Sequence, residues 1–126
     1  MSCLEGKDWI GLNFGYSGDA DQHHSATDDA MFLNGKLYKL DATIVEKVSD
    51  KVWKFRTYDK DQKYAKNWID LTYEIEDTHY IKENYIITKI NFKSNYGKVS
   101  GTFTFGDKTI KISQKFMIVE EMAALW

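Results

Sequence analysis

Ile69-Asp70-Leu71-Thr72-Tyr73-Glu74-Ile75-Glu76 is the stretch that decides the fold. Apolar side chains take every odd position and polar ones every even position, a period of two. On an extended chain successive side chains point to opposite faces, so this segment has one dry face and one wet face. A helix would scatter the same residues around its circumference. Residues 98–105 repeat the pattern: Val99, Gly101, Phe103 and Phe105 alternate with Lys98, Ser100, Thr102 and Thr104. Along 109–119 the expected inward set is Ile110, Ile112, Gln114, Phe116 and Ile118.

Turn residues fall between such segments. Asn34-Gly35 takes the positive φ values of a two-residue hairpin turn at little steric cost, and Gly106-Asp107 does similar work. Asn95-Tyr96-Gly97 reads as a further reversal. About eight strands result, at 9–16, 29–34, 36–47, 52–58, 68–77, 84–94, 98–105 and 108–119. Short meandering strands at this spacing predict an all-β, antiparallel barrel or strongly curved sheet. Eight strands can close a barrel wide enough for side chains or one small ligand. No linker or repeat interrupts the chain, so residues 1–126 read as one domain. The polar loop 17–28 is its longest irregular piece.

Composition supports a folded core and excludes some functions. The 126 residues are 43% hydrophobic and 15% aromatic. A formal net charge of −2 gives no electrostatic footprint for nucleic acid. No apolar run approaches the roughly 18 residues needed to span a bilayer. Cys3 is the single cysteine, so the fold does not depend on a disulfide. The first residues lack the apolar stretch of a signal peptide. A cytoplasmic protein is the expectation.

A series of landmarks runs in order along the chain: Trp9-Ile10-Gly11-Leu12-Asn13-Phe14-Gly15, Thr27-Asp28-Asp29-Ala30-Met31-Phe32, Asn34-Gly35-Lys36-Leu37-Tyr38-Lys39-Leu40, Ile69-Asp70-Leu71-Thr72-Tyr73, Tyr96-Gly97-Lys98-Val99-Ser100-Gly101-Thr102 and Trp126. The series resembles the C-terminal half of the domain-of-unknown-function 2804 family. The resemblance implies a lipocalin-like fold, distantly related to two-barrel proteins such as carotenoid hydratases, tocopherol cyclases and a yeast survival factor. It also implies another β half in front of this one in longer members. Members of that family often carry His where this chain has Lys93, and His and Arg where it has Met122 and Leu125.

Several side chains are candidates for chemistry. His23-His24 lies among Asp19, Asp21, Asp28 and Asp29, the donor types of a zinc site. Adjacent histidines need not converge, and the reading assigns no metal and no cofactor. Glu120 and Glu121 are adjacent on a strand and should point to opposite faces, which argues against a catalytic pair. Asp41 is placed equally well inside or outside. Lys51, Lys54, Arg56, Lys60, Lys63 and Lys66 surround Trp53 and Tyr58, but Asp50, Asp59 and Asp61 dilute them, as on a solvated edge.

The aromatic residues are the best lead, because in a small barrel the core and the ligand cavity share one space. The expected ligand-binding residues are Trp53, Trp68, Gln114 and Trp126, with Gly101 making room and loop 17–28 over the mouth. The expected ligand is an apolar or amphipathic small molecule. The alternatives are a structural domain with a filled interior, or an enzyme acting on a lipid or isoprenoid. A homodimer, or a missing N-terminal partner half, is the expected assembly.

Overall fold

The period-two segments become strands in a computed structural model that describes residues 1–15, 29–57, 66–84 and 89–125. In chain order these are β1 (Ser2–Glu5), β2 (Asp8–Asn13), β3 (Ala30–Leu33), β4 (Lys36–Lys39), β5 (Thr43–Lys47), β6 (Val52–Thr57), β7 (Asn67–Asn84), β8 (Lys89–Phe105) and β9 (Lys108–Leu125). The described residues include no helix long and apolar enough to cross a membrane. Strands β1-β2-β3-β4 form one antiparallel sheet and β5-β6-β7-β8-β9 a second. Asn34 and Gly35 both have positive φ, 51° and 83°, as their hairpin turn requires.

The sheets do not close into a barrel. No ladder joins β4 to β5, where the chain passes from one sheet to the other. Strands β1 and β9 meet through a side chain instead: Lys115 Nζ donates to the Leu4 carbonyl at 3.0 Å and pairs with Glu5 at 2.8 Å. The strongly curved sheet is the alternative the chain adopts. Lys47 at the end of β5 pairs with Glu121 on β9, although three strands lie between them in the sheet. That reach across the sheet is possible because the sheet curls.

One core joins the two sheets. Ile10, Leu12, Met31 and Leu33 from the first pack with Trp53, Phe55, Ile69, Leu71, Tyr73, Val99, Phe103 and Ile112 from the second. Phe14 meets Phe55 at a centroid distance of 5.0 Å, and Tyr38 meets Phe105 edge-on at 5.2 Å. Asp29 is fully buried at the crossing between sheets. Its carboxylate accepts the Gly15 amide at 2.9 Å and the Thr43 amide at 2.7 Å. Buried charge is tolerated where hydrogen bonds replace its water.

Strands β7, β8 and β9 are 18, 17 and 18 residues long, against 4 to 6 for the others. At about 3.3 Å per residue they extend roughly 60 Å. Only part of that length faces the first sheet. The remainder is a three-stranded arm of Glu76–Asn84, Lys89–Tyr96 and Met117–Leu125.

Two bulges correct the sequence reading. On β7 the register slips between Ile75 and Asp77, opposite Gly97 and Tyr96. The segment 95–97 is therefore continuous strand and not a turn. Gly97 is needed because a Cβ there would strike the Glu74 carbonyl. On β9 the register slips between Ile112 and Lys115, opposite Gly101 and Val99. Gln114 bulges out with a φ of 53°, its amide held by Ser100 Oγ at 2.9 Å. One extra residue turns every later side chain to the other face. Ile110 and Ile112 point inward as expected, but Gln114, Phe116 and Ile118 are exposed, and Met117 is buried in their stead. Gly101 admits the neighbouring strand closely, since a Cβ there would meet the Asp70 carbonyl; it does not open space for a ligand. Strand β1 was not anticipated, and the segment 36–47 divides into β4 and β5.

The bulge on β9 makes a paired prediction for urea melts. Phe103→Ala should cost about 3–5 kcal/mol, whereas Phe116→Ala should stay within about 0.5 kcal/mol of wild type. Gln114→Val, which places a β-branched residue at positive φ, should cost about 1–2 kcal/mol.

Candidate functional site

An open concavity of about 1090 Å³ lies where the arm leaves the core. Its floor is apolar, formed by Leu12 and Phe14 at the end of β2, Val45 on β5, Trp53 on β6, and Met117 and Val119 on β9. The register explains the placement. Tyr73 pairs Trp53, and the inward face then continues along the arm through Thr78, Asn95 and Val119, and through Tyr80, Lys93 and Glu121. The bulge at Glu76 keeps those residues on the concave side after the alternation has slipped.

Charge gathers at the lip. The Glu121 carboxylate accepts from Lys47 Nζ on one oxygen and from Lys93 Nζ at 3.0 Å on the other. Asn95 Nδ2 adds a bond to that second oxygen at 3.0 Å, and Thr78 Oγ1 donates to Asn95 Oδ1 at 3.0 Å. Both ammonium groups stand over the Trp53 ring, at 4.4 and 5.7 Å from its centroid, a cation–π arrangement. Below them the Tyr73 hydroxyl donates to the Asn95 carbonyl at 2.7 Å and shares its proton with the Met117 carbonyl at 3.2 Å.

These environments set protonation. Burial, aided by nearby Glu76, pushes the Tyr73 phenol up to about 12. Partial burial would raise Glu121, but the hydrogen bonds from Lys47, Lys93 and Asn95 outweigh it and hold the carboxyl below its ordinary range. Glu120, its neighbour, pairs with Ser94 on the opposite face, so the two carboxylates diverge as the strand geometry predicted.

Of the four expected ligand-binding residues, Trp53 lines the concavity. Trp68 is at the far end of β7, opposite Thr104, and half exposed on the outer face. Gln114 is exposed at its bulge. Trp126, loop 17–28 and the pair His23-His24 lie outside the described residues, as do Lys60 and Lys63. Among the described residues no cluster of three or more His, Cys, Asp or Glu side chains could hold a metal ion. Asp29 serves the backbone, as described above.

Lys47 escaped the sequence reading, and its partner is 74 positions away. Lys93 and Met122 had a signal in the family resemblance, which singled out both positions; Lys93 faces into the concavity, and Met122 stands at its rim, turned to the other face of β9. The outer face of the arm differs in character. Ile81, Phe92 and Met122 stand side by side across three strands there, and Phe116, Ile118 and Met122 are 58%, 45% and 72% exposed.

A family model described as Domain of unknown function (DUF2804) matches the chain over residues 1–126. No curated protein and no solved structure matches it.

Glu121 makes the stability of this region depend on pH. A carboxyl depressed in the folded state stabilises fully above its unfolded pKa and loses that contribution as pH falls through its folded value. Glu121→Gln should therefore cost about 1 kcal/mol near neutral pH. The difference from wild type should vanish in acid, as read by denaturant melts across the carboxylate range. An equal cost at every pH would show that the ionised form is not what matters.

Proposed function

We propose that this chain, which belongs to the domain-of-unknown-function family DUF2804, is a binding domain that holds one apolar or amphipathic small molecule in the concavity against Trp53. The observation that carries this reading is the junction of a dry floor with a charged lip: Leu12, Phe14, Val45 and Met117 below, Lys47, Lys93 and Glu121 above. Apolar walls with a few placed polar groups are what a small-molecule site requires. The volume, about 1090 Å³ and open to solvent, slightly exceeds the usual range for one such ligand, roughly 300–1,000 Å³.

The same residues favour binding over catalysis. A general acid and base need convergent groups with separated pKa values near the working pH. Here the Tyr73 hydroxyl is occupied by two backbone carbonyls, and Glu120 and Glu121 face apart. A cytoplasmic setting belongs to this reading, supported by the single cysteine.

Tryptophan fluorescence tests the site. Titration with fatty acids, isoprenoids and an apolar fluorescent probe should change the emission. The change should disappear in Trp53→Phe and persist in Trp68→Phe. A response that survives in Trp53→Phe, or no response to any ligand in the panel, would refute the reading.

The exposed row on the arm favours a second reading, in which β9 pairs with β9 of a second copy. Among the described strands β9 has a ladder with β8 alone. Exposed apolar surface on an unpaired edge invites association. Antiparallel self-pairing centred on Val119 would set Phe116 opposite Met122 and Ile118 opposite Glu120, with no like charges facing. Sedimentation equilibrium should give a wild-type dimer, and Ile118→Lys a monomer that melts within about 0.5 kcal/mol of wild type per chain in the pairing-free state. A monomeric wild type would remove self-pairing and leave an N-terminal half as the occupant of this face.

A further inference from the structure

We infer that the ligand carries a carboxylate head, and that Lys47 and Lys93 take this head in exchange for Glu121. The inference rests on the binding reading above and adds what the lip recognises.

Glu121 is a carboxylate already seated where a ligand's head would lie. Its two oxygens are divided between the two ammonium groups, one oxygen to each. Both ammonium groups are also fixed from below by the Trp53 ring, so they converge on one point above the apolar floor. Two donors set this way fit a flat acceptor with two oxygens. Ammonium groups are point charges with rotatable donors, so they can turn from one carboxylate to another without rebuilding the site.

Charge balance points the same way. The charged side chains on the concave face are Lys47, Lys82 and Lys93 against Glu121, three positive and one negative, since Glu120 at the rim points to the opposite face. An anionic head reduces this positive excess, and a cation adds to it. The exchange itself is shallow in energy. The Lys47, Lys93 and Glu121 side chains are 45%, 29% and 31% exposed, and ion pairs of this exposure contribute little. Glu121 can turn toward water while the incoming head, whose tail is drawn to Trp53 and Met117, occupies its place. The apolar tail supplies the affinity and the lysines supply the choice of head.

Three ligands with the same tail separate the possibilities: decanoate, 1-decanol and decylamine, titrated below micelle-forming concentrations and followed by calorimetry and by Trp53 emission. Decanoate should bind about tenfold more tightly than decanol, and decylamine more weakly than both. The double variant Lys47→Met with Lys93→Met should bind decanol as wild type does and lose the preference for decanoate. Glu121→Gln should bind decanoate several-fold more tightly, because the resident anion is gone, with decanol unchanged. Equal binding of decanoate and decanol by the wild-type protein would overturn the carboxylate assignment while the binding reading stands. Failure of all three to bind would overturn the reading itself. Weaker decanoate binding in Glu121→Gln would show that Glu121 organises the lysines and does not compete with the ligand, and would overturn the exchange.

Discussion

The buried carboxylate of Asp29 is the fixed point of this fold. It sits where the chain has finished β2 and begins β3, and it also holds the first residue of β5. One side chain thus ties both sheets to the same place, and the Asp29 carbonyl accepts the Leu40 amide at 3.1 Å on the way between them. Removing the carboxylate would leave the buried Thr43 amide without this partner, at a cost of about 1–3 kcal/mol, and would turn the exposed Gly15 amide over to water. The stacking of the sheets follows from this junction. So does the position of Phe14 against Phe55, and with it the floor of the concavity.

Strand content was legible in the sequence because strict alternation has one physical cause, a chain half in water and half out of it. Residues 69–75 and 99–105 read correctly to the side chain. The phase of β9 beyond Gln114 did not, and the reason is local. Phe116-Met117-Ile118-Val119 is apolar at every position. Either alternate pair can serve as the inner face, so the pattern carries no phase, and the deciding event is one bulged residue. Asn95-Tyr96-Gly97 misled for a related reason. Glycine marks a tight turn and a close strand approach with the same letter, and the distinction lies in the strand opposite.

The site was half legible for the same kind of reason. Trp53 could be named because a large aromatic residue in an alternating strand is conspicuous. The lip as a group could not, since Lys47, Lys93 and Glu121 belong to three strands; Lys93 and Glu121 each drew notice, but nothing in the sequence joins them to each other or to Lys47. What brings them together is the curl of the five-stranded sheet, a property of the whole ladder and of no short segment. Asp29 was hidden more thoroughly. It stood in a polar run beside His23 and His24 and looked like their companion, whereas its work is to receive backbone amides.

Unequal strand length has one more consequence. Strands β7, β8 and β9 each run from a part with a second layer above it to a part with none among the described residues. In the first part, opening a backbone hydrogen bond exposes the core; in the second, it costs little more than the ladder itself. A single strand therefore has two stabilities, and the boundary falls near Ile75, Gly97 and Met117. The concavity straddles that boundary, with its floor on the rigid half and its lip on the soft half. A ligand held there, as proposed, would fasten the one to the other and would be felt as a stiffening of the arm, transmitted to the outer face without any change in the path of the chain.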